Sequence, residues 1–158
     1  MQKIVPFLWF DNNVDQALAF YQEVFSDFEV LNIARYSEGG MGEPGSVMLA
    51  SIRLFGQQFN LLNGGPHFKF NEAVSFVINC ADQAEVDYYW DKLTGNGGEE
   101  SMCGWLKDRF GLSWQVVPTA LGELLSGGDP EQNKRATQAM LKMRKLDIAA
   151  LRAARDGQ

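Results

Sequence analysis

The chain has 158 residues, enough for one well-buried core or two very small ones. Apolar residues make up 46% and charged residues 22%, which excludes global disorder. Twenty acidic residues against 14 basic ones give a formal net charge of −6, opposite in sign to what a nucleic-acid binder carries.

Residues 3–10, Lys-Ile-Val-Pro-Phe-Leu-Trp-Phe, read as a buried strand with Pro6 near its start. Asp11-Asn12-Asn13 is a turn holding a helix N-cap candidate. Residues 14–25 have helical spacing, with Ala17, Leu18, Tyr21, Val24 and Phe25 on one face. Residues 28–36 alternate as a strand, and the Gly-rich stretch 37–46 is a loop. Residues 47–55 and 59–63 are two strands joined near Gly56, and Asn63-Gly64-Gly65-Pro66 ends the run. The pattern then restarts. Residues 73–80 form an apolar strand, and Asp82 with Glu85 suggests a capping box. A helix to Leu93 follows, with a face of Val86, Tyr89, Trp90 and Leu93. Asn96-Gly97-Gly98 turns into short strands at 99–102, 105–109 and 113–117. Beyond Pro118, residues 119–125 and 131–155 are helical by composition and period, separated by Gly127-Gly128-Asp129-Pro130.

Strand, helix and three strands therefore occur twice, as an internal repeat. A shift of 69 lays Phe20-Tyr21 on Tyr89-Trp90 and Pro6–Phe10 on Ser75–Asn79. Later the shift is 55, which lays Gly56-Gln57-Gln58-Phe59-Asn60-Leu61-Leu62 on Gly111-Leu112-Ser113-Trp114-Gln115-Val116-Val117. The difference of 14 residues falls in the loop around 37–46, which the second half lacks. The expected organisation is α+β: two βαβββ modules at about 1–66 and 67–128, then a helical tail at 129–158. That tail is basic. Residues 130–158 carry seven Lys+Arg against three acids, and residues 1–129 carry seven against 17. It reads as helix docked on its own acidic body or on a twin subunit.

The doubled βαβββ layout resembles the vicinal oxygen chelate superfamily, the group of glyoxalase I, extradiol dioxygenases and fosfomycin-resistance thiol transferases. Within it the chain is similar to the PhnB-like subgroup over most of residues 4–151. The carriers are Pro6-Phe7-Leu8-Trp9-Phe10, Phe59-Asn60-Leu61-Leu62-Asn63-Gly64-Gly65-Pro66 and Phe70-Asn71-Glu72-Ala73-Val74-Ser75-Phe76. To these are added Cys103-Gly104-Trp105-Leu106-Lys107-Asp108, Phe110-Gly111-Leu112-Ser113-Trp114-Gln115-Val116-Val117-Pro118 and Ala139-Met140-Leu141-Lys142-Met143. Members often bear the name demethylubiquinone methyltransferase. The resemblance implies sheets that curl around a cavity, and a homodimer. It also implies four metal-ligand points, on the first and last strands of each module, which fall on Pro6, Asn60, Ser75 and Gln115. None offers a carboxylate or imidazole, so no metal and no cofactor are expected there. A shifted metal site would have to draw on Glu72 or His67.

Asn60, Ser75 and Gln115 are the leading candidates to contact a small polar ligand, since strand alternation puts them on the ligand face of the superfamily. Trp105 and Trp114 are candidates for the cavity wall, or else for core. Lys107 could meet an anionic group. Cys103 could be nucleophilic only if its surroundings lowered its pKa. His67 is a loop histidine or a general base, and Cys80 reads as core. Two cysteines and one histidine exclude the common zinc sites. No apolar run reaches the ~20 residues of a membrane span, and the N-terminus lacks a signal-peptide pattern, so a cytoplasmic location is expected. The turn after the first strand, Asp11-Asn12-Asn13, lacks the glycines of an S-adenosylmethionine or dinucleotide fold. The expected function is metal-free binding of a small organic ligand. The alternative is a metal-dependent lyase or transferase of the same superfamily.

Overall fold

The structure is a computed structural model and describes residues 2–158. Its contacts divide the chain into two units, one ending at Phe70 and one beginning at Asn71.

The first unit runs β1 (Phe7–Phe10), α1 (Val14–Val24), β2 (Phe28–Arg35), β3 (Val47–Leu54) and β4 (Gln57–Asn63). The sheet order is β1-β4-β3-β2, with β1 parallel to β4 and the other pairs antiparallel. β1 is shorter than the expected 3–10. Proline has no N–H for a ladder, and Pro6 contributes only its carbonyl, which accepts from Asn60 N at 2.9 Å. The β3–β4 hairpin turns on Phe55 and Gly56, both at positive φ (45° and 82°), the backbone of a tight two-residue hairpin turn. Leu8, Phe10, Ala50, Ile52, Leu54, Phe59 and Leu61 are buried on the face that α1 covers. On the helix, Val14, Ala17, Phe20, Tyr21 and Val24 are buried. Phe20 replaces Leu18 in the expected face, because the buried stripe is counted from Val14 and runs along i+3, i+6, i+7 and i+10. The opposite face of the sheet presents Trp9, Leu49, Ser51, Asn60 and Leu62, all half-buried.

Asn13 sits at the N-cap of α1, yet its side chain caps nothing. The first helical N–H, that of Val14, donates instead to Asn63 Oδ1 at 3.0 Å, from the end of β4. Asn63 Nδ2 donates to the Val47 carbonyl at 2.9 Å, and the Asn63 carbonyl accepts from Tyr36 Oη. One buried amide thus joins the starts of α1 and β3 to the end of β4.

The second unit repeats the order with β5 (Ser75–Cys80), α2 (Gln83–Thr94), β6 (Glu99–Glu100), β7 (Trp105–Lys107) and β8 (Ser113–Pro118). Its sheet order is β5-β8-β7-β6, again with the outer parallel pair. Val86, Tyr89, Trp90 and Leu93 of α2 are buried, the face read from the spacing. Asp82 caps α2 by accepting from Glu85 N at 2.9 Å, while Glu85 reaches back to Ala81 N at 2.7 Å, one residue before the usual target of a capping box. Asp108, 2% exposed, closes the turn after β7. It accepts from the N–H of Phe110 and Leu112, and from Trp114 Nε1 at 3.0 Å.

Strand pairing corrects the repeat by one residue. Phe7 lies opposite Asn60, and Val77 lies opposite Gln115. The helices superpose at 69, but the first strands superpose at 70, because only Ala81-Asp82 link β5 to α2 where three residues link β1 to α1. Ser75 therefore answers to Val5, and Pro6 answers to Phe76.

The C-terminal segment belongs to the second unit. The single helix expected over 131–155 is two: α4 (Pro130–Met140) and α5 (Ile148–Arg155), after a short α3 (Leu121–Ser126). The break has a tertiary cause. The Met143 and Arg144 carbonyls are drawn out of the helix to accept from the N–H groups of Cys103 and Gly104, both at 2.8 Å. Gln83 holds the other side, donating to the Leu146 carbonyl and accepting from Ile148 N. Asp147 then caps α5. The basic tail meets acidic partners of its own unit, Lys145 on Asp87 at 2.9 Å and Arg144 on Glu100 at 3.5 Å. The Gln83 hydrogen bond and the Lys145 ammonium hold the Asp87 carboxyl below its ordinary range. No helix among the described residues is long and apolar enough to cross a membrane.

Truncating Asn63→Ala leaves two buried backbone groups without partners, at roughly 1–3 kcal/mol each. We expect a stability loss of about 3 kcal/mol in urea titrations followed by tryptophan fluorescence. An unchanged midpoint would show that the tether carries no weight.

Candidate functional site

A cleft of about 600 Å³ opens in the first unit. Its wall combines the far face of the sheet (Trp9, Leu62), the end of β2 (Arg35, Tyr36), the loop tip (Met41, Gly42) and the Gly64–His67 strap. Two glycines set the aromatic walls. A Cβ on Gly64 would overlap the Trp9 indole, and a Cβ on Gly42 would overlap the Tyr36 ring. Both rings therefore lie against bare backbone. Their polar ends are committed: Trp9 Nε1 donates to the Gly65 carbonyl at 2.8 Å, and Tyr36 Oη to the Asn63 carbonyl. Phe68 meets Trp9 edge-on, with centroids 4.9 Å apart. The surface left facing the cleft is flat and apolar, with polar groups at a few points, the usual make-up of a small-molecule site.

Sequence reasoning passed over most of this wall. Trp9 and Leu62 entered it only as strand residues, and 37–46 only as a loop. The available signal was the 14-residue excess of the first half. The excess is not confined to the loop around 37–46 but is spread over a longer β2, a longer β3 and the longer connection between them, and that connection supplies Ser37, Gly40, Met41 and Gly42 to the cleft. Of the residues singled out beforehand for chemistry, His67 lines it.

The other candidates lie elsewhere. Asn60, in the first unit, accepts from Ser51 Oγ at 2.8 Å. Ser75 and Gln115 are brought together in the second unit, where Gln115 Nε2 donates to Ser75 Oγ at 2.9 Å. Trp105 and Lys107 share the face of Gln115 away from α2, beside a small cleft of about 120 Å³ that also includes Glu72, Glu99 and Ser113. Lys107 pairs with Glu72, which keeps the ammonium pKa above its ordinary value and the carboxyl below it. The Ser113 hydroxyl is buried and lacks a hydrogen-bond partner. Trp114 is not on that face. It is 4% exposed, bonded to Asp108 and packed on Phe76. Cys103 occupies a turn at φ 60°, with its Sγ 3.6 Å from the Met140 carbonyl, against the tail.

The superfamily resemblance puts metal points at Pro6, Asn60, Ser75 and Gln115; by the strand register Pro6 answers to Phe76 and Ser75 to Val5, and neither Phe76 nor Val5 has a side-chain ligand atom. Asn60, Ser75 and Gln115 are neutral and already paired with a hydroxyl or an amide, and Pro6 has no donor atom. These residues do not fit a divalent cation. Among the described residues no group of three or more His, Cys, Asp or Glu is placed to hold one.

Two βαβββ units, each an outer parallel pair completed by antiparallel strands with a helix behind, define a protein of the vicinal oxygen chelate class. The chain belongs to the 3-demethylubiquinone-9 3-methyltransferase family, whose model matches residues 2–117. A solved Bacillus cereus structure described as a putative 3-demethylubiquinone-9 3-methyltransferase, PhnB protein, is 33% identical, with a TM-score of 0.68 over 75% of this chain and 100% of that one. A Pseudomonas aeruginosa protein is 20% identical, with a TM-score of 0.61 over 75% and 98%. The fosfomycin resistance protein FosX of Listeria monocytogenes, solved with Mn(II) and sulfate, is 17% identical, with a TM-score of 0.56 over 80% and 100%. The last two likenesses are of fold alone. No curated protein matches the chain significantly.

Burial pushes the Cys80 thiol up to about 12, with the nearby Glu85 carboxylate adding to the effect. A thiol so protonated is unreactive. We expect an aromatic disulfide reagent at pH 8 to titrate at most one thiol in the native protein, that of Cys103, and both after denaturation in guanidinium. Two thiols reacting natively would contradict the burial of Cys80.

Proposed function

We propose that the protein binds a small organic molecule in the cleft of its first unit, without a metal at the superfamily's usual points. The observation that carries this reading is the cleft itself: about 600 Å³, walled by Trp9, Tyr36, Met41, Met48 and Leu62, with its two aromatic rings held rigidly on glycine backbone. Rings fixed before binding lose little conformational freedom when a ligand arrives. The neutral side chains of Asn60, bonded to Ser51, and of Ser75 and Gln115, bonded to each other, support the metal-free part of the reading. Methyl transfer, which the family name suggests, is disfavoured. The turn from β1 to α1 carries no glycine, and the parallel pairs are closed by antiparallel strands instead of a doubly wound sheet.

The test has two parts. Untagged protein purified without chelator is assayed for Zn, Ni, Mn, Fe, Co and Mg by mass spectrometry. A fragment library is then screened by the NMR shifts of the indole N–H signals. We expect well below one metal per subunit, and fragments that shift Trp9 in the wild type and lose affinity at least about tenfold in Leu62→Arg, which puts a long charged side chain into an apolar wall. Near one tightly bound transition metal would overturn the metal-free reading and favour a metal-dependent lyase or transferase.

A homodimer is part of the same proposal. Phe7 and Val77, on the sheet-edge strands β1 and β5, are 56% and 51% exposed, unusual for large apolar side chains on strands. Light scattering on the eluting protein is expected to give twice the chain mass, and Phe7→Lys with Val77→Lys is expected to return it to the monomer.

A further inference from the structure

The charge of the cleft is at odds with the charge of the chain. The protein carries 20 Asp and Glu and a net charge of −6, yet none of those carboxylates lines this cleft. Its ionisable wall residues that can carry positive charge are Arg35 and His67, the latter being the chain's single histidine. Asp15 and Glu43 line an adjoining cleft of about 430 Å³ that shares Tyr36, Met41 and Gly42 with the first.

The charged groups of the wall are donors. Arg35 Nη1 donates to the Gly45 carbonyl at 3.1 Å, which leaves most of the five guanidinium N–H donors for another acceptor. His67 offers a ring N–H in either tautomer. The aromatic groups add no competing polar contacts, because Trp9 Nε1 and Tyr36 Oη are already committed to the Gly65 and Asn63 carbonyls. Around the donors lie the apolar surfaces of Trp9, Tyr36, Met48 and Leu62, with Asn12 and Ser37 as neutral polar side chains of the same wall. Aromatic faces and methionine sulfur pack well on a planar ring. A guanidinium at the edge of such a surface prefers a carboxylate or similar oxyanion, which it can meet with two parallel hydrogen bonds.

We infer that the molecule held in this cleft is flat and apolar in body and carries one anionic group, of carboxylate type, received by Arg35 with His67. This inference rests on the proposed ligand-binding reading of the same cleft. An amine-bearing ligand would place its charge against Arg35, and a fully neutral one would leave the guanidinium without its counter-charge on binding.

Three probes of one shape separate the possibilities: 2-naphthoate, 2-naphthamide and 2-naphthylmethylammonium. Each is titrated into the full-length protein, with the Trp9 indole N–H shift as readout and calorimetry for affinity. We expect naphthoate to bind at least about tenfold more tightly than the amide, and the ammonium probe more weakly than either. Arg35→Gln is expected to abolish the preference, bringing naphthoate to within about threefold of the amide. A thermal unfolding midpoint of the variant close to that of the wild type controls for folding. An amide or ammonium probe that binds as tightly as naphthoate, or a naphthoate preference that survives Arg35→Gln, would overturn the inference and leave the cleft as a binding site for another ligand class. If none of the three moves Trp9, and no fragment in the wider screen does, the ligand-binding reading falls and the inference falls with it.

Discussion

The first unit closes on one buried amide. Asn63 accepts from the N–H of Val14 and donates to the Val47 carbonyl, while its own carbonyl receives the Tyr36 hydroxyl. Four segments distant in sequence meet at that residue, and each brings a backbone or hydroxyl group that burial would otherwise leave unpaired. The placement of the cleft follows from it. Tyr36 is oriented by Asn63, and the chain leaves Asn63 directly into Gly64 and Gly65, the backbone against which Trp9 lies and to which it donates. Fold closure and cleft formation are therefore one arrangement in this unit.

The two units have the same element order and different local chemistry. The first holds a long excursion between β2 and β3, and that excursion builds one wall of the cleft. The second has only residues 101–104 at the corresponding place, between β6 and β7, and closes its β7–β8 turn on Asp108, whose carboxylate takes three N–H donors in a very short span. A loop so tightly satisfied has little freedom to frame a cavity. The second unit instead gains the C-terminal helices, docked through the 103–104 turn and through Gln83. One duplicated plan has thus been elaborated toward a cleft in one copy and toward a helical appendage in the other.

The positions at which the superfamily resemblance implies metal ligands carry neutral chemistry on the two sheets. At Asn60 and Gln115 the side chains are amides and not carboxylates, and each is engaged with a serine hydroxyl, Asn60 with Ser51 and Gln115 with Ser75. A neutral amide–hydroxyl pair gives each group a hydrogen-bond partner that needs no ion. Both pairs belong to the hydrogen-bonded faces of their own sheets.

The sequence by itself determined the element order, the repeat, both helix faces to within one residue and the identity of the family. Those features depend on period, turn residues and local motifs, which neighbours in the chain dictate. Asn60, Ser75 and Gln115 were legible as neutral for the same reason, since residue type is enough to deny them a charge. Tertiary structure decided the rest. The one-residue offset between the first strands appears only in the pairing of Phe7 with Asn60 and Val77 with Gln115. The break in the last helix is imposed by Cys103 and Gly104 from some forty residues away, against a stretch whose own composition favours continuous helix. The cleft arises where Trp9, Tyr36, Gly42 and Gly64 meet, and no window of sequence contains all four. A helix or a strand is set by interactions a few residues apart, whereas a cavity is set by which distant backbone is bare enough for a ring to lie on it.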